Sequence, residues 1–381
     1  MKKYFVKIYQ PNGSYINTLS DVTFNGFTKL MNGGLGNCGF TLARKIDDFK
    51  ELEEIYYNYR VEIYVIDKDT SSEGKKIYSG FIISYNPFID GKKEGINFSC
   101  MGYWSKLTSS ILKNGTAIEI TYNSTDPAIM IKNIIDRYRI ETNNPIINYT
   151  NQSITGTGTT TSYTFNSKTY AEAIEKSRQM SPSGFYYYLD TDNILHFDGK
   201  PSLASHTFIL GKHFKSINVE KTMDSVFNKI IFGNGDSIPQ IFKLYSDSNS
   251  ISLYDDRWLI EIDGRVTSST TADAIGNWLL TKNKDPKIKT TIEIIDNNDN
   301  ESGYDIESIE PGQTCRILNV NSQLSSTFTD NMVITKIDYN LDSAKIELES
   351  EKADINLGNK IKELSDKIIK EENKNNPTNY T

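Results

Sequence analysis

The sequence has few of the residues that most often carry chemistry. Its 381 residues include three cysteines and three histidines. Cys38, Cys100 and Cys315 are odd in number and far apart, so they form no disulfide framework and no paired spacing for a metal ion. We expect three buried free thiols, because free cysteine is among the most buried residue types.

Long apolar runs are also absent. No window approaches the ~20 apolar residues of a membrane-spanning helix. Near the N-terminus, Lys7 and Gln10 interrupt the apolar run well short of the ~7–15 residues of a signal peptide. We therefore expect a protein that is made in the cytoplasm, has no membrane span, and leaves a cell only by lysis or within a particle.

Positive charge is in slight deficit. Lysine and arginine number 42 against 49 aspartate and glutamate residues, which gives a formal charge of −7. Nucleic acids and anionic lipids both select basic patches, so a mildly acidic chain is not expected to recognise nucleic-acid sequence. A local basic groove remains compatible with this balance.

Catalytic and metal-binding motifs are missing as well. His196, His206 and His213 form no H-E-x-x-H motif and have no zinc-type spacing to the cysteines. No serine lies in a G-x-S-x-G elbow, and no pair of carboxylates stands out as suited to glycosidic hydrolysis. The sequence therefore predicts no catalytic residues, no cofactor and no metal site.

One pattern of the nucleotide-binding type does occur, but its context is wrong. Residues 34–39 match G-x-G-x-x-G, which has meaning only between a buried strand and the start of a helix. Residues 40–44 instead alternate like a strand, and Asp67 comes later than a ribose-binding acid would. We interpret residues 34–39 as a glycine-rich β-turn.

Strand patterns dominate the first 110 residues. Turn-forming clusters separate β-branched and aromatic runs, and these runs lie at residues 4–9, 15–16, 61–66, 77–85 and 96–101. Short strands punctuated in this way are typical of an antiparallel barrel or sandwich.

Helical patterns begin after residue 110. Asp126 precedes a proline, which is a favourable N-cap followed by proline at the first helical position. Isoleucines and a tyrosine over residues 131–138 then share one helix face. Thr169 and Glu172 have the spacing of a capping box at the start of a second helix.

Tyr186, Tyr187 and Tyr188 lie in a predicted hairpin at residues 185–197. Three consecutive tyrosines could form a stacking patch for a sugar or a base. A strand that is aromatic on both faces is more simply explained by packing between two layers, and we favour that interpretation.

Strands resume near residue 216, interrupted by a helix near Thr270 for which Asp273 is the predicted capping-box partner. Residues 313–350 repeat the order of strands, loops and turns found at 61–102. The repeat indicates either two duplicated β-domains or a chance similarity between β-meanders.

The C-terminal segment carries a short heptad pattern. Its apolar positions are spaced four, three and four residues apart, and they are Leu357, Ile361, Leu364 and Ile368. A helix of about 15 residues is marginal alone, so we predict that residues 356–370 form a parallel three-helix bundle between identical copies. The heptads alone favour a dimer, and docking onto the same chain is the alternative.

These patterns predict a mainly β fold with an α/β insert. Two tube-like β-barrel domains, at residues 1–110 and 216–350, flank an α+β middle region at 111–215. A C-terminal coiled-coil helix and polar tail occupy residues 351–381.

The order of three stretches resembles tail proteins of phages that infect Gram-positive hosts, in the broad baseplate-hub or tail-tip family. The stretches are residues 30–42 with the strands at 61–65 and 77–82, residues 168–174 leading into 184–197, and residues 309–317 with the closing strands. Together they span most of residues 25–350, and the C-terminal heptads lie outside the resemblance.

The resemblance implies a non-enzymatic structural protein of the virion. In this family the barrels are similar to the tail tube, and three copies with two barrels each present a six-fold-like ring to a hexameric tube. Such a homotrimer would join the tail tube protein to distal tail proteins and to tail-fibre or spike proteins. The alternatives are a receptor-binding adhesin of the tail-fibre type and a wall-degrading tail enzyme.

Overall fold

The computed structural model describes residues 2–43, 57–66, 74–91, 93–235, 240–296, 303–320 and 332–349. The predicted coiled coil lies outside the described residues, and so do its proposed oligomerisation residues Leu357, Ile361, Leu364 and Ile368. The three-helix bundle therefore stays a prediction.

The described part of the first 110 residues is mainly strands, as the alternation predicts. These are β1 (Lys3–Tyr9), β2 (Tyr15–Leu19), β3 (Val22–Leu30), β4 (Leu35–Leu42), β5 (Arg60–Ile66), β6 (Lys75–Asp90) and β7 (Lys93–Gly102), followed by helix α1 (Trp104–Ser109). The glycine-rich residues 34–39 follow the turn after β3 and enter β4, which pairs with β3 and β7. The turn lies just before the motif, at Met31 and Asn32, and residues 35–39 already belong to β4. The β-turn interpretation of residues 34–39 is therefore wrong, because most of these residues pair with neighbouring strands.

The middle of the chain mixes short strands with helices. Its elements are β8 (Glu119–Thr125), α2 (Pro127–Thr142), β9 (Thr161–Asn166), α3 (Tyr170–Gln179), β10 (Phe185–Leu189), β11 (Leu195–Gly199), β12 (His206–Ile209) and β13 (Phe214–Thr222). Both predicted caps form. The Asp126 side chain accepts from the Ala128 N–H at 2.8 Å, and Thr169 and Glu172 make both bonds of a capping box.

The remaining described elements are β14 (Lys229–Gly233), β15 (Phe242–Ser246), α4 (Ser248–Tyr254), β16 (Trp258–Ile262), α5 (Ser269–Asn283), β17 (Lys287–Ile295), β18 (Thr314–Leu318), β19 (Met332–Tyr339) and β20 (Ser343–Glu349). The helix predicted near Thr270 is α5, but its predicted capping box is wrong. Ser268 is the N-cap residue and makes no side-chain cap bond, because the Asp273 carboxylate is held by Lys243 and Tyr245.

One 13-stranded sheet contains strands from both ends of the chain. Its main path is β13-β17-β20-β19-β3-β4-β7-β6-β5-β1-β2, and β18 joins β12 to β19. The antiparallel pairing of β3 with β19 connects the strands of residues 1–110 to those of 216–350. The mainly β prediction is confirmed. The described pairings form an open path instead of two separately closed barrels, because this cross-pairing occupies an edge of each set.

The two segments that echo each other in sequence both form antiparallel meanders. Strands β5, β6 and β7 pair in chain order, and so do β18, β19 and β20. This local agreement suits duplication and chance equally well, because meanders are a common way of arranging three consecutive strands.

Two buried clusters form the core. One packs the apolar face of the large sheet and draws on both ends of the chain. The other joins α2, α3, the β10–β11 hairpin, β14 and α5. Cys38, Cys100 and Cys315 are buried free thiols, as predicted. Within the described residues, no helix combines the length and apolar character of a membrane span.

Candidate assembly surface

A small sheet built from β14, β15 and β16 stands apart from the large one. Strand β14 lies in the middle, antiparallel to β15 and parallel to β16. The register aligns Leu244, Ile231 and Ile260 in one row across the three strands. Successive side chains in a strand point to opposite faces, so each strand presents one set to the protein and one set outward.

The inner face of this sheet is firmly packed on α5. Ile230 and Phe232 of β14 are fully buried, and Phe232 belongs to a cluster that includes Ile275 of the helix. Gly276 allows the close approach, because a Cβ atom built there would lie 2.1 Å from the Tyr245 ring. The small sheet is therefore fixed to α5 and does not depend on a partner for its position.

Polar contacts also hold this sheet in place. The Asp273 carboxylate of α5 accepts from the Tyr245 hydroxyl at 2.9 Å and from the Lys243 ammonium at 2.6 Å. At the other end, buried Asn228 donates to the Asp255 carbonyl at 2.8 Å and accepts from the Arg257 N–H at 2.9 Å. These bonds fix the start of β14 beside the start of β16.

The outer face of the same sheet is apolar and exposed. Five large side chains there have exposed fractions between 47% and 63%, and they are Phe242, Leu244, Trp258, Ile260 and Ile262. Half-buried Ile231 connects them across the central strand. We call these six residues the apolar patch. Contiguous exposed apolar surface on a soluble protein marks an interaction site more often than isolated exposed residues do.

The rim of the apolar patch is charged. The Lys229 ammonium lies 2.6 Å from the Asp256 carboxylate and 4.8 Å from the centroid of the Trp258 ring. An apolar centre with a polar rim is the usual anatomy of a protein interface. This pair offers both signs of charge at one edge, so the rim can face another copy of the same rim without net repulsion.

A buried carboxylate connects the small sheet to the middle region. Asp263 directly follows β16, accepts from the Tyr163 hydroxyl at 2.9 Å and lies 2.9 Å from the Lys176 ammonium. Burial alone would raise the pKa of Asp263, but the Lys176 charge and the Tyr163 and Arg265 hydrogen bonds hold that pKa below its ordinary value. Asp263 therefore stays ionised and keeps β16 attached to β9 and α3.

The residues singled out from sequence lie elsewhere. His196 pairs with Asp190 at 2.8 Å, and His206 lies between Tyr304 and Gln313. Among the described residues, no cluster of three or more metal-binding side chains occurs. His196 and His206 therefore take part in hydrogen bonds within the fold.

Two of the three consecutive tyrosines are buried, as the prediction of packing between layers requires. Tyr187 is buried and stacks on Trp104 with ring centroids 5.1 Å apart. Tyr186 is buried as well, and Tyr188 stacks on His196 at 4.6 Å. The interpretation of this strand as part of the packed interior is therefore confirmed for Tyr186 and Tyr187.

Sequence reasoning missed the apolar patch, although a signal was present. Strands β14 and β16 carry apolar residues at consecutive positions, and therefore on both faces, as in the runs Ile230–Ile231–Phe232 and Trp258–Leu259–Ile260. That pattern is typical of a strand covered on both faces. The structure covers only one face of the small sheet with described residues, and the uncovered face is the site.

The fold is that of phage tail proteins. A 43 kDa tail protein of prophage MuSo2 from Shewanella oneidensis matches with a TM-score of 0.63 and 15% identity, over 91% of this chain and 98% of its own. A tail protein from Neisseria meningitidis gives 0.58 and 10%, over 91% and 97%. Prophage tail protein gp18 from Listeria monocytogenes gives 0.56 and 13%, over 93% and 96%.

These three proteins come from different genera, so the likeness does not single out Gram-positive hosts, and that part of the sequence prediction stays a prediction. No known family profile matches the sequence, and no curated protein matches it. At these identities the likeness establishes the fold.

Proposed function

We propose that the chain is a structural component of the tail tip of a phage or phage-derived particle, where it acts as a baseplate hub between the tail tube and distal tip proteins. One observation carries this proposal: the fold likeness to three solved tail proteins covers 91–93% of this chain and 96–98% of theirs.

In this proposal the two β-rich ends serve the tube and the middle serves the neighbours. Residues 1–110 and 216–350 supply two tube-like β domains per copy, and three copies form a ring. The α/β region at 111–215 contacts adjacent copies or fibres. The continuous 13-stranded sheet supports this arrangement, because it fixes the two β-rich ends relative to each other within one copy.

The apolar patch supports an assembling protein. Its exposed rings and branched side chains would gain free energy by leaving water, at roughly 25 cal/mol for each Å² of apolar surface buried. We assign its partner as a neighbouring copy of the same chain, since the mixed charge of the Lys229–Asp256 rim is self-compatible. The predicted bundle at 356–370 would be a second contact between copies.

The proposed role requires no chemistry of its own. The protein would be made in the host cytoplasm and act as part of the virion, with the tail tube protein, distal tail proteins and fibre or spike proteins as partners. Its work would be to present fixed surfaces, and the packed small sheet is suited to that.

Two measurements test this proposal. Sedimentation of the purified chain should give about three times the protomer mass of 43.2 kDa at micromolar concentration. Ile361→Asp with Leu364→Asp should lower that mass if the C-terminal seam joins copies. A stable dimer would retain the coiled coil and remove the trimeric hub, and an unchanged monomer for both proteins would remove the seam as well.

The second measurement locates the protein in the particle. Antibodies raised against the chain should label particles at one end of the tail in electron micrographs. Label along the whole tail, or on no particle, would contradict the hub. Turnover of purified cell wall by the isolated protein would favour the wall-degrading alternative, and binding of isolated protein to host cells would favour the adhesin.

A further inference from the structure

A basic cleft lies where the middle region meets the end of the large sheet. It has a volume of about 480 Å³, which is within the range of ~300–1,000 Å³ common for small-molecule sites. Helix α5 contributes one wall, the start of β10 another, and the start of β17 with the end of β20 a third. The apolar patch is on the opposite side of the small sheet from α5, so the cleft is a separate feature.

The cleft concentrates positive charge in an acidic chain. Five cationic side chains line it, namely Arg178, Lys200, Lys282, Lys284 and Lys287, against the two acids Asp285 and Glu349. The whole chain carries a formal charge of −7. A local excess of cations against that background focuses a positive potential into the cleft and attracts anions.

An aromatic ring holds two of these cations in position. Trp278 is mostly buried, with the Arg178 guanidinium 5.0 Å and the Lys282 ammonium 4.6 Å from its ring. Cation–π contacts of this kind fix long flexible side chains. A ligand would therefore meet cations that are already ordered, which reduces the entropy cost of binding.

Some of the positive charge in the cleft is already balanced and some is not. Arg178 makes two hydrogen bonds to Glu175, at 2.6 and 3.0 Å, and Lys284 lies 2.8 Å from Asp247. Lys282 and Lys287 form no ion pair with any residue in the described part of the chain. These two lysines are the cations free to meet a ligand.

The state of Lys282 points in the same direction. Lys282 is an exposed residue, but partial desolvation by its neighbours and the positive charge of Arg178 lower the pKa of Lys282. An anion placed beside Lys282 would offset the repulsion from Arg178, because it would supply the opposite charge.

The other residues that line the cleft suit a compact polar ligand. Thr281 and Ser183 offer hydroxyl groups, and Phe185, Tyr186 and Pro286 offer apolar walls. The Tyr186 ring packs directly against Gly312, where an added Cβ would lie 1.8 Å from the ring. The cleft wall is therefore formed by the fold itself before any ligand arrives.

We propose that this cleft binds a small ligand of about sugar size that carries a phosphate or carboxylate group, with the acid group between Lys282 and Lys287. The two acid groups share the chemistry that recognises them, which is charge-assisted hydrogen bonding to an ammonium. The site is independent of the hub role and would exist in a single copy of the chain.

The test is a titration of the full chain with three sugars. Binding is measured by calorimetry and by the NMR signal of the Trp278 indole N–H. Glucose 6-phosphate and glucuronate carry the two acid groups, and glucose is the neutral control. The anionic sugars should bind at least about tenfold more tightly than glucose, and added salt should weaken them, because exposed charge contacts are screened. Binding of one anion alone would support the site and identify its acid group.

Variants then locate the site. Lys282→Met with Lys287→Met should reduce the affinity for the anionic sugars at least about tenfold, since both charge contacts are removed. Lys289→Met with Lys345→Met removes two exposed lysines of the large sheet that are not part of the cleft lining and should leave the affinity unchanged. The glucose and salt comparisons need no variant, so they remain decisive if the double variant fails to fold.

Three outcomes would overturn the proposal. Glucose could bind as tightly as the anionic sugars, or the cleft variant could bind as tightly as the native chain. The third is that none of the three sugars binds the full chain at concentrations up to about 10 mM, a limit that corresponds to less than about 3 kcal/mol of binding free energy.

Discussion

The large and small sheets share one geometry and differ in what they show to water. On β17 and β20 the inward residues are apolar apart from Thr290, and the outward ones include Lys289, Glu293 and Lys345. On β15 and β16 the outward residues include Phe242 and Ile260. Alternation is the same in both sheets, so strand geometry does not explain the difference. The outer face of the large sheet suits solvent, and that of the small sheet suits a partner.

The largest expected loss of stability comes from a buried residue of the large sheet. Ile346 of β20 is fully buried in the large sheet, so Ile346→Ala should lower the free energy of unfolding by about 3–4 kcal/mol, through lost burial and a residual cavity. Ile260→Ala removes the same atoms from the exposed face of β16 and should change the free energy of unfolding by less than about 0.5 kcal/mol. Urea denaturation at a concentration where the chain is monomeric measures both. Equal losses in the two variants would mean that the apolar patch is covered.

A smaller effect is expected at the carboxylate that joins the small sheet to the middle region. Asp263→Asn should cost about 2 kcal/mol, because it weakens charge-assisted bonds and leaves the Lys176 ammonium poorly paired. The pKa of Asp263 is lowered in the folded chain, so this stabilisation is present above the unfolded pKa of ~3.9 and is lost as the pH falls through the lower folded pKa.

Unfolding measured at several pH values tests the direction of this pH dependence. The difference between the native chain and Asp263→Asn should be constant from about pH 5 to 7 and should shrink below about pH 4. Asp90→Asn, at an exposed position at the end of β6, is the matched control and should have no such dependence. A difference that grows on acidification would show that Asp263 is protonated in the folded protein.

The next effect tests how closely the small sheet must approach α5. Gly276→Ala should lower the free energy of unfolding by about 1–2 kcal/mol, since the new Cβ would meet the Tyr245 ring and the cost of overpacking exceeds the gain in helix propensity. Gly264→Ala is the control, because its nearest atom would be 3.5 Å away. A more stable Gly276→Ala variant would mean that the small sheet shifts freely on the helix.

Local signals in the sequence predicted much of the fold. Caps at Asp126 and Thr169 placed two helices, and period-two alternation placed most strands. The sequence could not predict that β3 pairs with β19, because pairing between strands some 300 residues apart leaves no local mark. It also could not predict the apolar patch. Apolar residues at consecutive positions, as in Ile230–Ile231–Phe232, look the same whether the second face meets the protein's own core or another chain.

The cleft was only partly within reach of sequence reasoning. The charge balance left room for a local basic groove, but Arg178, Lys200 and Lys287 come from distant segments. Only the packing of α3, α5 and the large sheet brings them together. Long-range geometry therefore decides both candidate sites, while local chemistry decides the elements that carry them.

The smallest effect on folding should accompany the largest effect on association. Leu244→Asp with Ile260→Asp places two charges in the middle row of the apolar patch. Both side chains are exposed in the single chain, so the free energy of unfolding of the monomer should change by less than about 0.5 kcal/mol. Between copies the same charges would be buried without partners, which is strongly unfavourable. Sedimentation should show a mass that falls toward the protomer at micromolar concentration.

The control for this variant is Ile140→Asp, which charges a still more exposed isoleucine near the end of α2, outside the apolar patch. It should leave the mass unchanged. Self-association that survives in Leu244→Asp with Ile260→Asp but disappears in Ile361→Asp with Leu364→Asp would assign all contact between copies to the C-terminal seam. The apolar patch would then face a different tail protein. Loss of folding in the patch variant, by as much as in Ile346→Ala, would remove the distinction between the two sheets, because a face that cannot tolerate charge in a monomer is already part of a core.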